Sequence, residues 1–121
     1  MLGHVVRKPW GYYNVLVNNS QARMKHMVIR PGGSISLQFH MLRDEFWFVI
    51  TGFPVIEISH TEYVASPGAF FHIKCGEPHK LINTTQSDIT VIEVMIGTSI
   101  ETDTCYLEQG IDNLTCETGP I

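Results

Sequence analysis

Between residues 11 and 97, short runs of β-branched and aromatic residues are separated at close intervals by glycine, proline and asparagine, which leaves little room for helices. The spacing predicts strands over 11–17, 23–30, 34–40, 45–51, 54–59, 62–65, 70–73, 79–84 and 89–97. Breaks fall at Asn18–Asn19–Ser20, Pro31–Gly32–Gly33, Gly52, Ser66–Pro67–Gly68, Gly76 and Asn83–Thr84–Thr85. Many short strands with frequent turns point to an all-β sandwich or barrel. A chain of 121 residues can bury one such core, and neither a repeat nor a linker divides it. After Gly97 the text turns polar and acidic. The expected organisation is a barrel over 1–100 and an extension over 101–121, packed on the barrel or partly disordered.

Composition excludes several classes. With 44% hydrophobic and 17% charged residues the chain is a folded one. A formal charge of −4 argues against nucleic acid or an anionic membrane as partner. No apolar run nears the roughly 20 residues that span a bilayer, and the first residues lack the apolar stretch of a signal peptide. Cys75, Cys105 and Cys116 make an odd count without a CxxC spacing. They are expected to be reduced thiols of a cytoplasmic protein.

The chemistry concentrates in "QFHMLRDEFW". Strict alternation over 34–40 would place Ile35, Leu37 and Phe39 on one face and Ser34, Ser36, Gln38 and His40 on the other. Glu45 shares a face with Trp47 and Val49, and a hairpin between the two strands would set it opposite Gln38 and His40. His79 opens a later strand, after the turn "KCGEP". Two imidazoles, an amide oxygen and a carboxylate can hold a divalent first-row metal. Taken singly, Gln38 reads as a surface amide and His40 as a structural histidine. His4, His26, His60 and His72 keep that plain reading.

Spacing joins them. Gly32 is followed by five residues, Gln38, one residue, His40, four residues, Glu45, six residues and Gly52. Gly68 is followed by five residues, Lys74, Cys75, Gly76, two residues, His79, three residues and Asn83. These runs resemble the two signature motifs of the cupin superfamily, with glutamine for the first histidine and Lys74 for a proline. The resemblance implies an all-β fold, a double-stranded β-helix or jelly-roll barrel in a single domain, and a homodimer. "RKPWGYYNVL", "RPGGSISLQFHMLRDEFWFVITG" and "CGEPHKLIN" further resemble the C-terminal isomerase domain of bifunctional enzymes that couple mannose-6-phosphate isomerase to mannose-1-phosphate guanylyltransferase. The likeness covers roughly residues 7 to 110, and it predicts a stand-alone cupin.

Carried over by position, Gln38, His40, Glu45 and His79 match the metal ligands. Zinc is the metal the resemblance favours; manganese, iron, cobalt and nickel also suit the mixed donor set. Arg43 matches an arginine that would serve the phosphate or the enediolate of a sugar; its plain reading is a surface arginine paired with Asp44. The implied activity is aldose–ketose isomerisation of a sugar phosphate through a cis-enediol. Lys80, Glu45 and His72 are candidate bases, and Arg43 and Lys80 the candidate catalytic residues. Lys8 and Lys74 could contact phosphate, and Trp10 or Trp47 could stack on a sugar. Met41, Leu42 and Phe46 stand where family members usually carry further histidines. Two alternatives stay open: a non-catalytic metal- and sugar-binding cupin, and a metal-dependent cupin dioxygenase.

Overall fold

The computed structural model describes residues 5–97, 103–107 and the backbone of 114–117. Its strands are β1 (Val5–Lys8), β2 (Gly11–Asn18), β3 (Ala22–Ile29), β4 (Ser34–Phe39), β5 (Arg43–Thr51), β6 (Val55–Ile58), β7 (Thr61–Val64), β8 (Phe70–Ile73), β9 (His79–Ile82), β10 (Ile89–Gly97), β11 (Thr104–Leu107) and β12 (Leu114–Glu117). The nine expected strands correspond to β2–β10, each within two residues at either end. Two six-stranded sheets form, in the orders β1-β2-β3-β10-β5-β8 and β12-β11-β4-β9-β6-β7. The all-β expectation holds.

The two inner faces enclose a core with two chemically different ends. Ile29, Val49, Ile56, Leu81, Ile89 and Val91 fill one end and are almost fully buried. Further along the same inward parity, β3 presents Lys25, β10 presents Glu93 and β5 presents Glu45 and Arg43, all buried. Register aligns this change of character: Val91 pairs with Met27 and Val49, whereas Glu93 pairs with Lys25 and Trp47. The apolar end closes the sandwich, and the polar end holds the candidate site.

Two geometric expectations are corrected. The alternation over 34–40 is broken by a register shift between Ile35 and Gln38 in the β4–β9 ladder. Ile35 pairs with Leu81 and Gln38 with His79, both inward-facing, so two residues three apart reach the same interior. An extra residue in one strand turns its side chains over, as a β-bulge does. Nor do β4 and β5 form a hairpin. They belong to opposite sheets, so Glu45 meets His40 and His79 across the interior rather than along a ladder.

The cysteine expectation is corrected as well. Cys75 is free and exposed, but Cys105 is disulfide-bonded. In the antiparallel β11–β12 ladder its register partner is Cys116, and adjacent Cα positions across a ladder lie within disulfide reach. An odd count cannot reveal a pair set by a hairpin that the sequence did not announce.

Candidate metal centre

His40, Glu45 and His79 converge at the polar end, each almost fully buried, with ligand atoms within 4.8 Å of one another. His40 Nε2 lies 3.1 Å from Glu45 Oε2, and His79 Nε2 lies 3.5 Å from Glu45 Oε1. The imidazoles tilt toward each other, with ring centroids 4.9 Å apart.

Backbone carbonyls set both tautomers. His40 Nδ1 lies 2.7 Å from the Asp103 carbonyl oxygen and His79 Nδ1 lies 2.9 Å from that of Glu77. A carbonyl only accepts, so each Nδ1 carries a proton, and each Nε2 faces Glu45, donating to it when the ring is charged and offering a lone pair when it is neutral. This is how metal-binding imidazoles are usually held. Burial, above all, lowers the pKa of His79 and so favours its neutral form.

The turn at 74–77 positions both histidines. Gly76, at φ 84°, donates its N–H to the His40 carbonyl, and Glu77 supplies the carbonyl that holds His79. The Glu77 carboxylate accepts from the Lys74 N–H and the Ser59 hydroxyl, and these bonds, the first foremost, depress its pKa. On the other side, Asp103 caps the Met41 and Leu42 N–H groups with its carboxylate while its carbonyl holds His40.

Arg43 lies inside. Nε and Nη2 donate to Glu45 Oε2 at 3.0 and 2.9 Å, and Nη2 lies 3.3 Å from His40 Nε2. The surface pairing with Asp44 is overturned: Asp44 accepts instead from His72 and from the Cys75 N–H, which lower its pKa. Burial opposes ionisation of Glu45, yet the hydrogen bond from His40 and the surrounding positive charge hold its pKa well below the usual carboxylate range. Among the described residues, Glu45 Oε1 is buried without a hydrogen-bond partner. A buried anionic oxygen left bare is costly, and a cation beside the two Nε2 atoms would satisfy it. The residues therefore fit a divalent metal.

A cavity of about 430 Å³ opens beside this cluster, and Arg43, Glu45 and Gln38 form part of its wall. Gln38 is paired with His79 in register, but its amide nitrogen bonds the Ser36 carbonyl at 3.1 Å. Lys8 and Trp10 line the same cavity. Lys80 does not join the cluster: it follows His79 on β9, takes the opposite face, and lines a separate cavity with Glu57. Lys74 and His72 line a third. Trp47 is fully buried, edge-on to the His79 ring, and bonds Glu93 rather than offering a face to a sugar.

Sequence reading missed Lys25, Glu93 and Asp103. The first two were detectable as charged residues on the inward parity of otherwise apolar strands, "RMKHMVI" and "ITVIEVMI". Asp103 carried no such signal.

The comparisons agree with this architecture. The capsular polysaccharide assembling protein CapF from Staphylococcus aureus superimposes with a TM-score of 0.76 at 20% identity, covering 89% of this chain and 34% of CapF. A Klebsiella pneumoniae protein with a double-stranded β-helix domain gives 0.71 at 17% identity, covering 88% and 87%. The fold is thus the cupin double-stranded β-helix. In sequence, the alginate biosynthesis protein AlgA of Pseudomonas putida is 29% identical over 98 residues, and a Klebsiella pneumoniae mannose-1-phosphate guanylyltransferase is 24% identical over 98. Each match covers 81% of this chain, which spans only about a fifth of those relatives' length. The pattern of the family described as "Mannose-6-phosphate isomerase C-terminal" matches residues 2–109, and the chain belongs to that family.

Proposed function

We propose that the chain is a metal-dependent isomerase of sugar phosphates, of the mannose-6-phosphate isomerase kind, working through a cis-enediol. One observation carries the reading: a bare, buried carboxylate oxygen faces two imidazoles whose Nε2 atoms are turned inward by backbone carbonyls, at the wall of a cavity large enough for a sugar. His40, Glu45 and His79 would hold the metal, with zinc the first choice, and a turn of the Gln38 amide would add a fourth donor. A bound divalent metal would polarise the sugar's carbonyl and hydroxyl oxygens and stabilise negative charge developing on them.

The chain's own residues supply the rest. Arg43, set beside the cluster, suits an enediolate oxygen better than a distant phosphate. Trp10 and Tyr13 give the cavity aromatic walls for a sugar face, and exposed Lys8 offers an ammonium for the phosphate at its rim. The test is conversion of mannose 6-phosphate by zinc-loaded protein, with metal content measured on the same sample. Turnover is the expected result. Sugar binding without turnover would make the chain a binding module, and oxygen consumption with iron would make it a dioxygenase.

We also propose a homodimer formed through the outer face of the β1-β2-β3-β10-β5-β8 sheet. Phe48, Ile50, Phe70 and Ile96 lie exposed on that face, and the Phe70 ring packs on those of Phe46 and Phe48. Such a patch favours burial against a second copy.

A further inference from the structure

Isomerisation needs a group that takes a proton from one sugar carbon and returns it to the next, and none of the motif residues is free to do so. The two histidines have their Nδ1 protons bound to carbonyls and their Nε2 atoms turned to Glu45. Glu45 Oε2 accepts from Arg43 and its Oε1 faces His79, and Lys80 and His72 lie on other faces. Glu93 remains. It is buried and lines the same cavity as Glu45 and Gln38. The Trp47 indole N–H donates to its Oε2 at 2.9 Å, which fixes the carboxyl plane.

We infer that Glu93 is the catalytic base and acid that carries the proton between the two sugar carbons, an assignment that rests on the isomerase reading above. Register supports the distance. Glu93 pairs with Trp47 while Glu45 pairs with Met95, so the two acids are diagonal neighbours on adjacent strands with the same inward parity. Such neighbours stand about 7–8 Å apart along the backbone, and both side chains line the one cavity.

The Glu93 carboxylate takes the C2 proton of the aldose. The C2–H pair becomes the C1=C2 bond, and the carbonyl pair moves onto O1. The O2 hydroxyl proton passes to O1 within the cis-enediol; C2=O2 then forms, and C1 recovers the proton from Glu93. Atoms and electrons balance without an oxidant. Lys25, opposite Glu93 in register on β3, favours its ionised form, and Glu45 opposes it. Glu93, pushed up to about 7 chiefly by burial, can both take and give a proton near neutral pH.

The experiment uses the full zinc-loaded chain and mannose 6-phosphate in D₂O, following turnover and deuterium entry at C2 and C1 by NMR. Glu93→Gln keeps the shape and the acceptor for Trp47. It should lower turnover and exchange by about 100-fold or more, with zinc content unchanged and KM within about threefold. Glu93→Asp, which keeps a carboxylate, should recover at least about tenfold over Glu93→Gln. Exchange by Glu93→Gln within tenfold of wild type would overturn the assignment and leave the isomerase reading intact. Wild-type protein with neither exchange nor turnover would overturn both. If Glu93→Gln does not fold, Glu93→Ala takes its place, and turnover in Glu93→Ala within tenfold of wild type with a KM defect alone would overturn it.

Discussion

Arg43 gives both Nε and Nη2 to a single oxygen of Glu45, Oε2, and leaves Oε1 bare beside His79. One cation therefore satisfies half of the carboxylate and leaves the other half for a second cation. Breaking a buried pair by removing one partner costs about 3–5 kcal/mol, so metal-free Arg43→Ala should lose stability on that scale. Saturating zinc should recover part of the loss by taking over the charge of Glu45. Urea unfolding with and without a chelator measures this. An equal penalty in both conditions would mean that metal and arginine do not share the carboxylate.

Glu93 predicts a pH signature in stability. Its folded pKa of about 7 lies above the ordinary 4.5, so the folded state binds the extra proton between those values. Its favourable contribution is complete below about pH 4.5 and lost as pH rises through 7. Glu93→Gln cannot titrate. Measured without metal, its stability relative to wild type should rise across that window by roughly 3 kcal/mol, at about 1.36 kcal/mol per pKa unit. His79, shifted the other way by burial, contributes in both proteins and cancels in the difference. A flat difference from pH 4.5 to 7.5 would show that Glu93 titrates as an ordinary glutamate.

The strands were legible because alternation and punctuation are local properties, and the triad because motif spacing survives folding. What was not legible depends on non-local geometry. The bulge between Ile35 and Gln38 is set by the β9 partner, the placing of β4 and β5 in separate sheets by the crossing at residues 40–42, and the Cys105 disulfide by the β11–β12 hairpin. For Arg43 the sequence left a surface pairing with Asp44 open beside its site role. Its β5 parity instead sends it inward with Glu45 and sends Asp44 out to His72.

Asn83, the last residue of the second motif, is fully buried and acts as a structural knot. Its Nδ2 donates to the Ile29 and Ser87 carbonyls, while Oδ1 accepts from the Thr85 N–H and hydroxyl. Asn83→Ala would strand several of these groups, each costing about 1–3 kcal/mol when buried. A loss of roughly 2–4 kcal/mol with unchanged zinc content per folded molecule is expected. Lost zinc binding at full stability would contradict a purely structural role.

The exposed aromatic sheet face should determine assembly. Light scattering at micromolar concentration should give twice the 13.7 kDa chain mass. Phe70→Glu, which places a charge among Phe46 and Phe48, should return the monomer mass without unfolding the barrel, since Phe70 contributes little to the core. A wild-type monomer, or a dimer indifferent to Phe70→Glu, would place any contact elsewhere.

Metal occupancy tests the centre residue by residue, because its ligands come from different parts of the fold. His40 and His79 are held by carbonyls on opposite sides of the site, and Glu45 by Arg43. His40→Ala removes an imidazole oriented by Asp103 and should drop zinc content well below wild type in elemental analysis. Gln38→Ala should act more weakly: its amide nitrogen already bonds Ser36, and an amide oxygen is a poorer zinc donor than imidazole. Asp103→Ala keeps its backbone carbonyl but loses the carboxylate that caps Met41 and Leu42. Affinity should fall by about 10–100-fold, the usual effect of disturbing the groups behind a ligand. If His40→Ala retained full occupancy, the buried triad would be a charge network without a metal, and the isomerase reading would lose its main support.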